Sequence, residues 1–261
     1  DFAKRVSGTL FLEESIDIPQ LNGLRYGIVE VEERAHSLHI AAIRPRVLDG
    51  WLVADVAMNQ TIHPAVQFPM PGRHNVLNAL AAVALATEAG ADFADCLARL
   101  RSFSGIERRF AYHIRESHGV YIDDYAHHPT EVRATLEAAR GAFPERRIVA
   151  TFQPHLYSRT QQFAAQFGQA LALADVVIVL DVYGAREEAK AGVTGEIVAE
   201  AARVTGHAAV HYQPDRSNVV DTVMTLSKPG DVILTMGAGD IWRLNRDMAD
   251  VLNRMEVSHG C

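Results

Sequence analysis

From residue 119 onward the sequence repeats one unit, a short continuous apolar run followed by an amphipathic stretch. The runs are "GVYID", "RIVATF", "DVVIVL", "AAVHY" and "DVILTM". Between them, Thr130–Phe143 places Val132, Leu136 and Ala139 on one stripe, and Ser158–Leu173 carries Phe163, Phe167 and Leu171 at successive fourth positions. Strands that are apolar on both faces and separated by helices call for a parallel sheet covered on both sides. Right-handed crossovers then make it an α/β doubly wound, mostly parallel, Rossmann-like sheet. About five or six strands are predicted for this part.

The chain before it has a different texture. Residues 9–70 read as short strands and turns, "GTLFLEE", "YGIVEVEE", "HSLHIAAIRP" and "DGWLVADVAM". Alternation in "SLHIAAI" and in Trp51–Val56 predicts half-exposed antiparallel sheet. Two helices follow. "GRHNVLNALAAVALATEAG" puts Val76, Leu80 and Val83 on one stripe with Gly90 as its stop. "ADFADCLARLRSF" repeats the pattern with Phe93, Leu97, Leu100 and Phe103. The change of texture divides the chain near residue 113, into 1–112 and 113–261.

Composition narrows the function classes. Lys plus Arg total 25 against 32 Asp plus Glu, a net charge of −7. That balance argues against nucleic acid or an anionic membrane surface as the main partner. Lysine occurs only at Lys4, Lys190 and Lys228, so the positive charge is almost all arginine, which suits carboxylates and phosphates. Two cysteines, Cys96 and Cys261, make no disulfide framework and fit a reducing cytoplasm. No apolar run approaches the roughly 18 residues of a membrane span, and no signal peptide is visible.

Open parallel sheets bind ligands beyond the carboxyl ends of their strands. Here those ends carry "DDYAHH", "QPHLYSR", "DVYGARE" and "GAGD". Four polar endings on one rim predict an active-site edge holding Asp124, His127, His128 and His155. Each has a plainer reading. Asp123 or Asp124 could cap a helix beginning near Thr130, with Pro129 as its first residue. His155 could be a turn residue, Gly237 and Gly239 could simply permit a tight turn, and Arg108 and Arg109 could be solvated charges. The coincidence of four polar endings favours the active-site reading. A metal centre is disfavoured. Adjacent His127 and His128 at a helix start point about 100° apart, and there is no H-E-x-x-H or cysteine cluster.

Six segments, "GRHNVLNALAAVALATEAG", "FSGIERRF", "DDYAHHPTEV", "FQPHLYSRT", "LDVYGAREE" and "GAGDI", occur in an order and spacing that resembles the Mur ligase family, over roughly residues 65 to 245. The resemblance is closest to the family's alanine-adding branch. It implies ATP-dependent ligation of L-alanine to UDP-N-acetylmuramate through an acyl phosphate, with ATP and magnesium, in peptidoglycan precursor synthesis. By that resemblance Asn75 and Asn78 are adenine-side asparagines, Arg109 reaches the nucleotide and Asp124 holds its ribose. Tyr125 and His127 line the acyl and amino-acid site, while His155 and Arg159 receive the alanine, Arg159 as a bidentate fork for its carboxylate. Some relatives carry arginine where this chain has Leu156.

The family's phosphate loop ends in Gly-Lys-Thr or Gly-Lys-Ser, and none of the three lysines follows glycine. Residues 1–112 therefore resemble the tail of the central ATP-binding domain, and 113–261 the carboxyl-terminal domain. The magnesium ligands and the uridine-nucleotide domain are expected upstream, and this chain alone is expected to turn nothing over. Two alternatives stand beside this reading. One is the ligase that reattaches recycled tripeptide to UDP-N-acetylmuramate, which shares "DD-x-AHHP". The other is a non-catalytic nucleotide-binding module. "FQPHLYSRT" favours the alanine enzyme, because a small amino acid needs a tight carboxylate clamp.

Overall fold

A computed structural model describes residues 9–13, 25–33, 36–48, 51–58 and 61–258. The chain forms two compact units, Asp1–Gly105 and Ile106–Cys261.

In the first unit, β1 (Thr9–Glu13), β2 (Arg25–Glu33), β3 (His36–Leu48), β4 (Trp51–Met58) and β5 (Thr61–Phe68) pair in chain order. Every neighbouring pair is antiparallel, as the alternation suggested. The helices α1 (Arg73–Glu88) and α2 (Phe93–Leu100) follow. Val76, Leu80 and Val83 of α1 pack with Ile40, Ala42, Ala54, Val56 and Phe68 of the sheet, and with Phe93 and Leu97 of α2. Gly90 adopts φ +97° just beyond α1, the left-handed position that ends a helix without a Cβ penalty.

Two expectations need correcting here. The centre of β4, Val53–Ala57, is buried at every position rather than at alternate ones. Its second face is closed around Asp55, which takes Arg44 at 2.8 Å and Arg46 at 3.2 Å. Matching register shifts in β3 and between β4 and β5 bend the sheet there. Phe103 does not continue the stripe of α2: the helix stops at Leu100 and Phe103 is 46% exposed.

The second unit contains β6 (Ala111–Arg115), β7 (Val120–Asp124), α3 (Pro129–Ala142), β8 (Ile148–Phe152), α4 (Tyr157–Leu171), β9 (Val176–Leu180) and α5 (Glu196–Val204). Then come β10 (Val210–Gln213), α6 (Val219–Leu226), β11 (Val232–Met236) and α7 (Asn245–Ser258). Its six strands run in the order β10-β9-β8-β11-β7-β6. All neighbours are parallel except the edge pair β6 and β7. The strands β7, β8, β9 and β11 are buried along their whole length, which is why their sequences are continuous apolar runs.

From β7 the chain steps one way through β8, β9 and β10, then returns so that β11 fills the place between β7 and β8. The right-handed rule for such crossovers assigns α3, α4 and α5 to one face, where α4 contacts both of the others, and α6 to the opposite face, where it contacts α7. The sheet is doubly wound as expected. The units part between Gly105 and Ile106 rather than near residue 113, because β6 is hydrogen-bonded into the second sheet. Among the described residues no helix is long and apolar enough to cross a membrane.

Candidate active site

The four polar strand ends lie side by side along one edge of the second unit's sheet. Asp124, Met236 and Phe152 share one register row, and the pairing runs on past it. Gly237 N–H donates to Asp124 O at 3.1 Å and Gln153 N–H to Met236 O at 2.9 Å. Tyr183 N–H donates to Pro154 O at 2.8 Å and Leu156 N–H to Tyr183 O at 3.0 Å. His155 thereby forms a parallel bridge with Tyr183. These ties hold the loops to the rigid sheet.

A row of rings follows from that backing. Tyr125 meets His127 edge to face with centroids 5.1 Å apart, and His127 meets His155 the same way at 6.1 Å. His155 stacks on Tyr183 at 5.8 Å. The guanidinium groups of Arg108 and Arg109 lie 4.8 and 5.6 Å from the Tyr125 ring centre. His128 turns away and packs on Phe163 of α4 at 5.0 Å, so the adjacent histidines diverge as helix-start geometry requires.

The plainer reading, in which Asp123 or Asp124 caps α3, does not hold. Asp123 and Asp124 end β7, and His128 is the N-cap, with Pro129 first in the helix. Glu131 closes the capping box, its Oε2 accepting from His127 N–H at 2.9 Å and His128 N–H at 3.1 Å. The same oxygen lies 3.3 Å from His127 Nδ1. Burial works against the Glu131 charge, but the His127 amide and ring, the His128 amide and Arg109 outweigh it and hold the carboxyl below its ordinary range.

Asp124 is buried, and burial pushes its carboxyl above the ordinary range despite the amides it receives. Its Oδ2 accepts from Phe110 N–H and its Oδ1 from Ala126 N–H, both at 2.8 Å. The carboxylate thus pins the 106–110 segment to the loop carrying Tyr125 and His127. Arg108, read as a possible surface charge, is anchored as well. Its Nε lies 3.4 Å from the fully buried Asp123, and its Nη2 donates to Gly237 O. Arg109 is exposed.

Arg159 stands in the first turn of α4, its Nη1 3.5 Å from His155 Nδ1. Burial first, then the charges of Arg159 and His127, holds the His155 imidazole below its ordinary value. Glu187 caps α4 from the β9 loop, its Oε2 accepting Ser158 N–H at 2.8 Å and its Oε1 the Ser158 hydroxyl. Leu156, the N-cap residue, has φ +70° and offers no side-chain cap. Gly237 and Gly239 are structural. A Cβ on Gly237 would meet Gln153 O at 2.8 Å, and one on Gly239 would meet Gln153 Oε1 at 2.4 Å and Tyr183 Cβ at 2.8 Å.

In the first unit, Asn78 of α1 is exposed, whereas Asn75 Nδ2 donates to Pro71 O at 2.7 Å, leaving its carbonyl oxygen for other partners. Among the described residues no group of three or more His, Cys, Asp or Glu is placed to hold a metal ion. Sequence reasoning missed Glu131, Arg108 and Glu187. The first was signalled by glutamate three residues after the cap in "HPTE"; the other two carry no signal short of the fold.

A doubly wound α/β domain with a histidine and arginine rim beyond its strand ends places this unit among the open-sheet α/β domains that bind ligands at that edge. Residues 108–239, half of the chain, match the Mur ligase, glutamate ligase domain, and the chain belongs to the Mur ligase family. It is 49% identical over 243 residues to the UDP-N-acetylmuramate–L-alanine ligase of Nocardia farcinica, covering 89% of this chain and 46% of that protein. It is 42% identical over 238 residues to the ligase of that name from Chlorobaculum parvum, covering 88% and 50%. Among solved structures, UDP-N-acetylmuramate-alanine ligase from Thermotoga maritima matches with a TM-score of 0.68 and 30% identity, over 84% of this chain and 46% of that one. A murein peptide ligase from Psychrobacter arcticus matches at 0.52 and 24% identity, over 80% and 43%, a likeness of fold alone. The chain spans about half the length of the curated relatives it matches.

Proposed function

We propose that this chain supplies the amino-acid side of an ATP-dependent ligase that joins L-alanine to UDP-N-acetylmuramate in the cytoplasm. The observation that carries the reading is the rim of Tyr125, His127, His155 and Arg159, assembled in a Mur ligase chain whose relatives of 42–49% identity bear that enzyme's name. A carboxylate resists attack by an amine until one of its oxygens is made a leaving group. ATP does this by giving an acyl phosphate, which the alanine amine attacks and phosphate leaves. The alanine ammonium must lose one proton to become a nucleophile and a second as the tetrahedral adduct collapses to the amide. On this reading His127 is the base, since a neutral imidazole can take such a proton near pH 7.

Arg159 offers the remaining edge of its guanidinium to the alanine carboxylate, and the depressed basicity of His155 keeps a second positive charge from competing with it. Arg109 fits an anionic nucleotide, being exposed and close to the same loop. Asp124 suits a ribose only through lone pairs left over from two backbone bonds, so its first duty is to hold that loop. Asn75, through its carbonyl, and Asn78 would serve an adenine from the first unit. Magnesium, when bound, would neutralise phosphoryl charge; among the described residues no group of three or more His, Cys, Asp or Glu is placed to hold it.

In a ligase that carries the phosphate loop, Arg159→Ala should raise the KM for alanine by far more than that for ATP. Losing a charge-assisted bidentate pair costs roughly 2–4 kcal/mol, on the order of a 30-fold to several-hundred-fold change. Equal effects on both substrates would make Arg159 a structural residue. Amide formation with tripeptide in preference to alanine would overturn the alanine reading.

A further inference from the structure

The two histidines on the rim are backed by groups of opposite hydrogen-bonding character. His127 Nδ1 lies 3.0 Å from Tyr125 O and 3.3 Å from Glu131 Oε2. A carbonyl and a carboxylate only accept, so in the neutral ring Nδ1 carries the hydrogen and Nε2 keeps its lone pair. His155 Nδ1 faces Arg159 Nη1 at 3.5 Å. A guanidinium only donates, so there Nδ1 accepts and the hydrogen moves to Nε2.

We propose that His127 and His155 are locked in opposite tautomers, one presenting an acceptor and the other a donor to the same rim, with Glu131 and Arg159 as the positioning residues that set them. This rests on reading the rim as the site of amide formation. The acceptor nitrogen of His127 is then the one that takes the amine proton, while His155 Nε2–H holds an oxygen of the reacting groups.

Glu131 is well placed for its part because two backbone amides hold the oxygen that faces the ring. The amides of His127 and His128 fix its Oε2, and these bonds also start α3. One carboxylate oxygen therefore begins the helix and aims the ring. The groups around the pair agree with the division of roles. His127 has the Glu131 carboxylate behind it and the Tyr125 ring at its edge, with Arg109 acting on Glu131. His155 has Arg159 and His127 on one side and the flat face of Tyr183 on the other, and the Glu187 carboxylate acts on it with the opposite sign to Arg159. Burial first, then the Arg159 charge, lowers the basicity of His155, which favours the neutral ring whose Nδ1 can accept from Arg159.

The test is long-range proton–nitrogen NMR of the 261-residue chain labelled with nitrogen-15 in histidine, at about pH 8, where ordinary imidazoles are neutral. Ring signals are assigned through the backbone. His127 should show a protonated, pyrrole-type Nδ1 and a pyridine-type Nε2, and His155 the reverse. Glu131→Gln keeps an oxygen for the two amides but offers Nδ1 a donor as well. It should collapse at least half of the shift difference between the two His127 nitrogens. Arg159→Met should do the same to His155 while leaving His127 unchanged. The same tautomer in both rings of the parent chain overturns the proposal, and that measurement needs no variant to fold. Parent-like ring shifts in both variants overturn the roles of Glu131 and Arg159. No substrate enters the experiment, so its failure is distinct from a failure of the alanine assay.

Discussion

Gly168→Ala pits helix propensity against packing, and the geometry decides the sign. Gly168 lies inside α4 where that helix crosses α5. Alanine is favoured over glycine in a helix interior by about 1 kcal/mol. At this position, however, a Cβ would fall 2.4 Å from the Ala201 carbonyl carbon, 2.6 Å from Ala202 N and 2.7 Å from Ala201 O. Carbon contacts settle near 3.5–4.0 Å, so the helices must part by about 1 Å. The obstacle is backbone and cannot rotate aside. Overpacking of this kind costs typically 1–3 kcal/mol and more where nothing yields, so the net loss should be about 2 kcal/mol. For a domain of this size that lowers Tm by roughly 4–8 °C. Trp51 and Trp242 fall in different units, so in a Trp51→Phe background the fluorescence of Trp242 follows the second unit alone. Gly141→Ala is the control. It sits in the last turn of α3 with nothing within 4 Å of its added Cβ, and should gain about 0.5 kcal/mol. A Gly168→Ala midpoint at or above the parent's would show that the two helices are not in backbone contact, and the assigned packing of α4 would be wrong.

Two other outcomes follow from single observations. Asp55 is buried; burial raises its carboxyl, but the Ala65 amide, Arg46 and Arg44 prevail and leave it below its ordinary value. Its contribution to the first unit is therefore complete above about pH 4, where the unfolded carboxyl is ionised, and is lost as pH falls through the lower folded value. Asp55→Asn should cost roughly 1–2 kcal/mol at neutral pH and flatten that acid limb, as followed by Trp51 fluorescence; an unchanged acid limb would remove Asp55 from the account. The 261-residue chain mixed with UDP-N-acetylmuramate, alanine, magnesium and ATP should release no phosphate above background, because its sequence holds no Gly-Lys-Thr or Gly-Lys-Ser cradle for the phosphates. Alanine-dependent release would reveal a complete site within these residues.

What could be read in the sequence was whatever depends on local period. Val132, Leu136 and Ala139 were placed on the buried stripe of α3, and are buried. The continuous apolar runs announced parallel strands, and β7, β8, β9 and β11 are such strands. What depends on long-range pairing was not visible. Nothing in "DVILTM" says that β11 inserts between β7 and β8. The edge strand β6 was passed over because a register shift between Tyr112 and Ile114 breaks its alternation. Phe163 was expected to share the stripe with Phe167 and Leu171; instead it is half-buried, and its ring meets His128. The rim residues Tyr125, His127 and His155 stood out because titratable groups behind an apolar run are unusual. Arg108 did not, because its partners Asp123 and Gly237 reach it only through the fold.

The insertion of β11 explains why the rim can be rigid although it is made of loops. With β11 at the centre, its last residue and the glycine after it are hydrogen-bonded to the loops on both sides, Gly237 to Asp124 and Gln153 to Met236. Gln153 then turns its side chain along the rim, donating from Nε2 to Asp240 at 2.8 Å and accepting Ile241 N–H at 3.0 Å. Asp240 in turn receives Arg216 from the turn ahead of α6. The loop after β11 is thus the wedge against which the His155 loop is set. Glycine is required at 237 and 239 because that wedge fits with no room for a Cβ. Alanine at Gly239 would press on Gln153 and Tyr183 together, and through Tyr183 on the ring stacked against His155. The "GAGD" segment therefore sets the seat of Tyr183, on whose ring His155 is stacked.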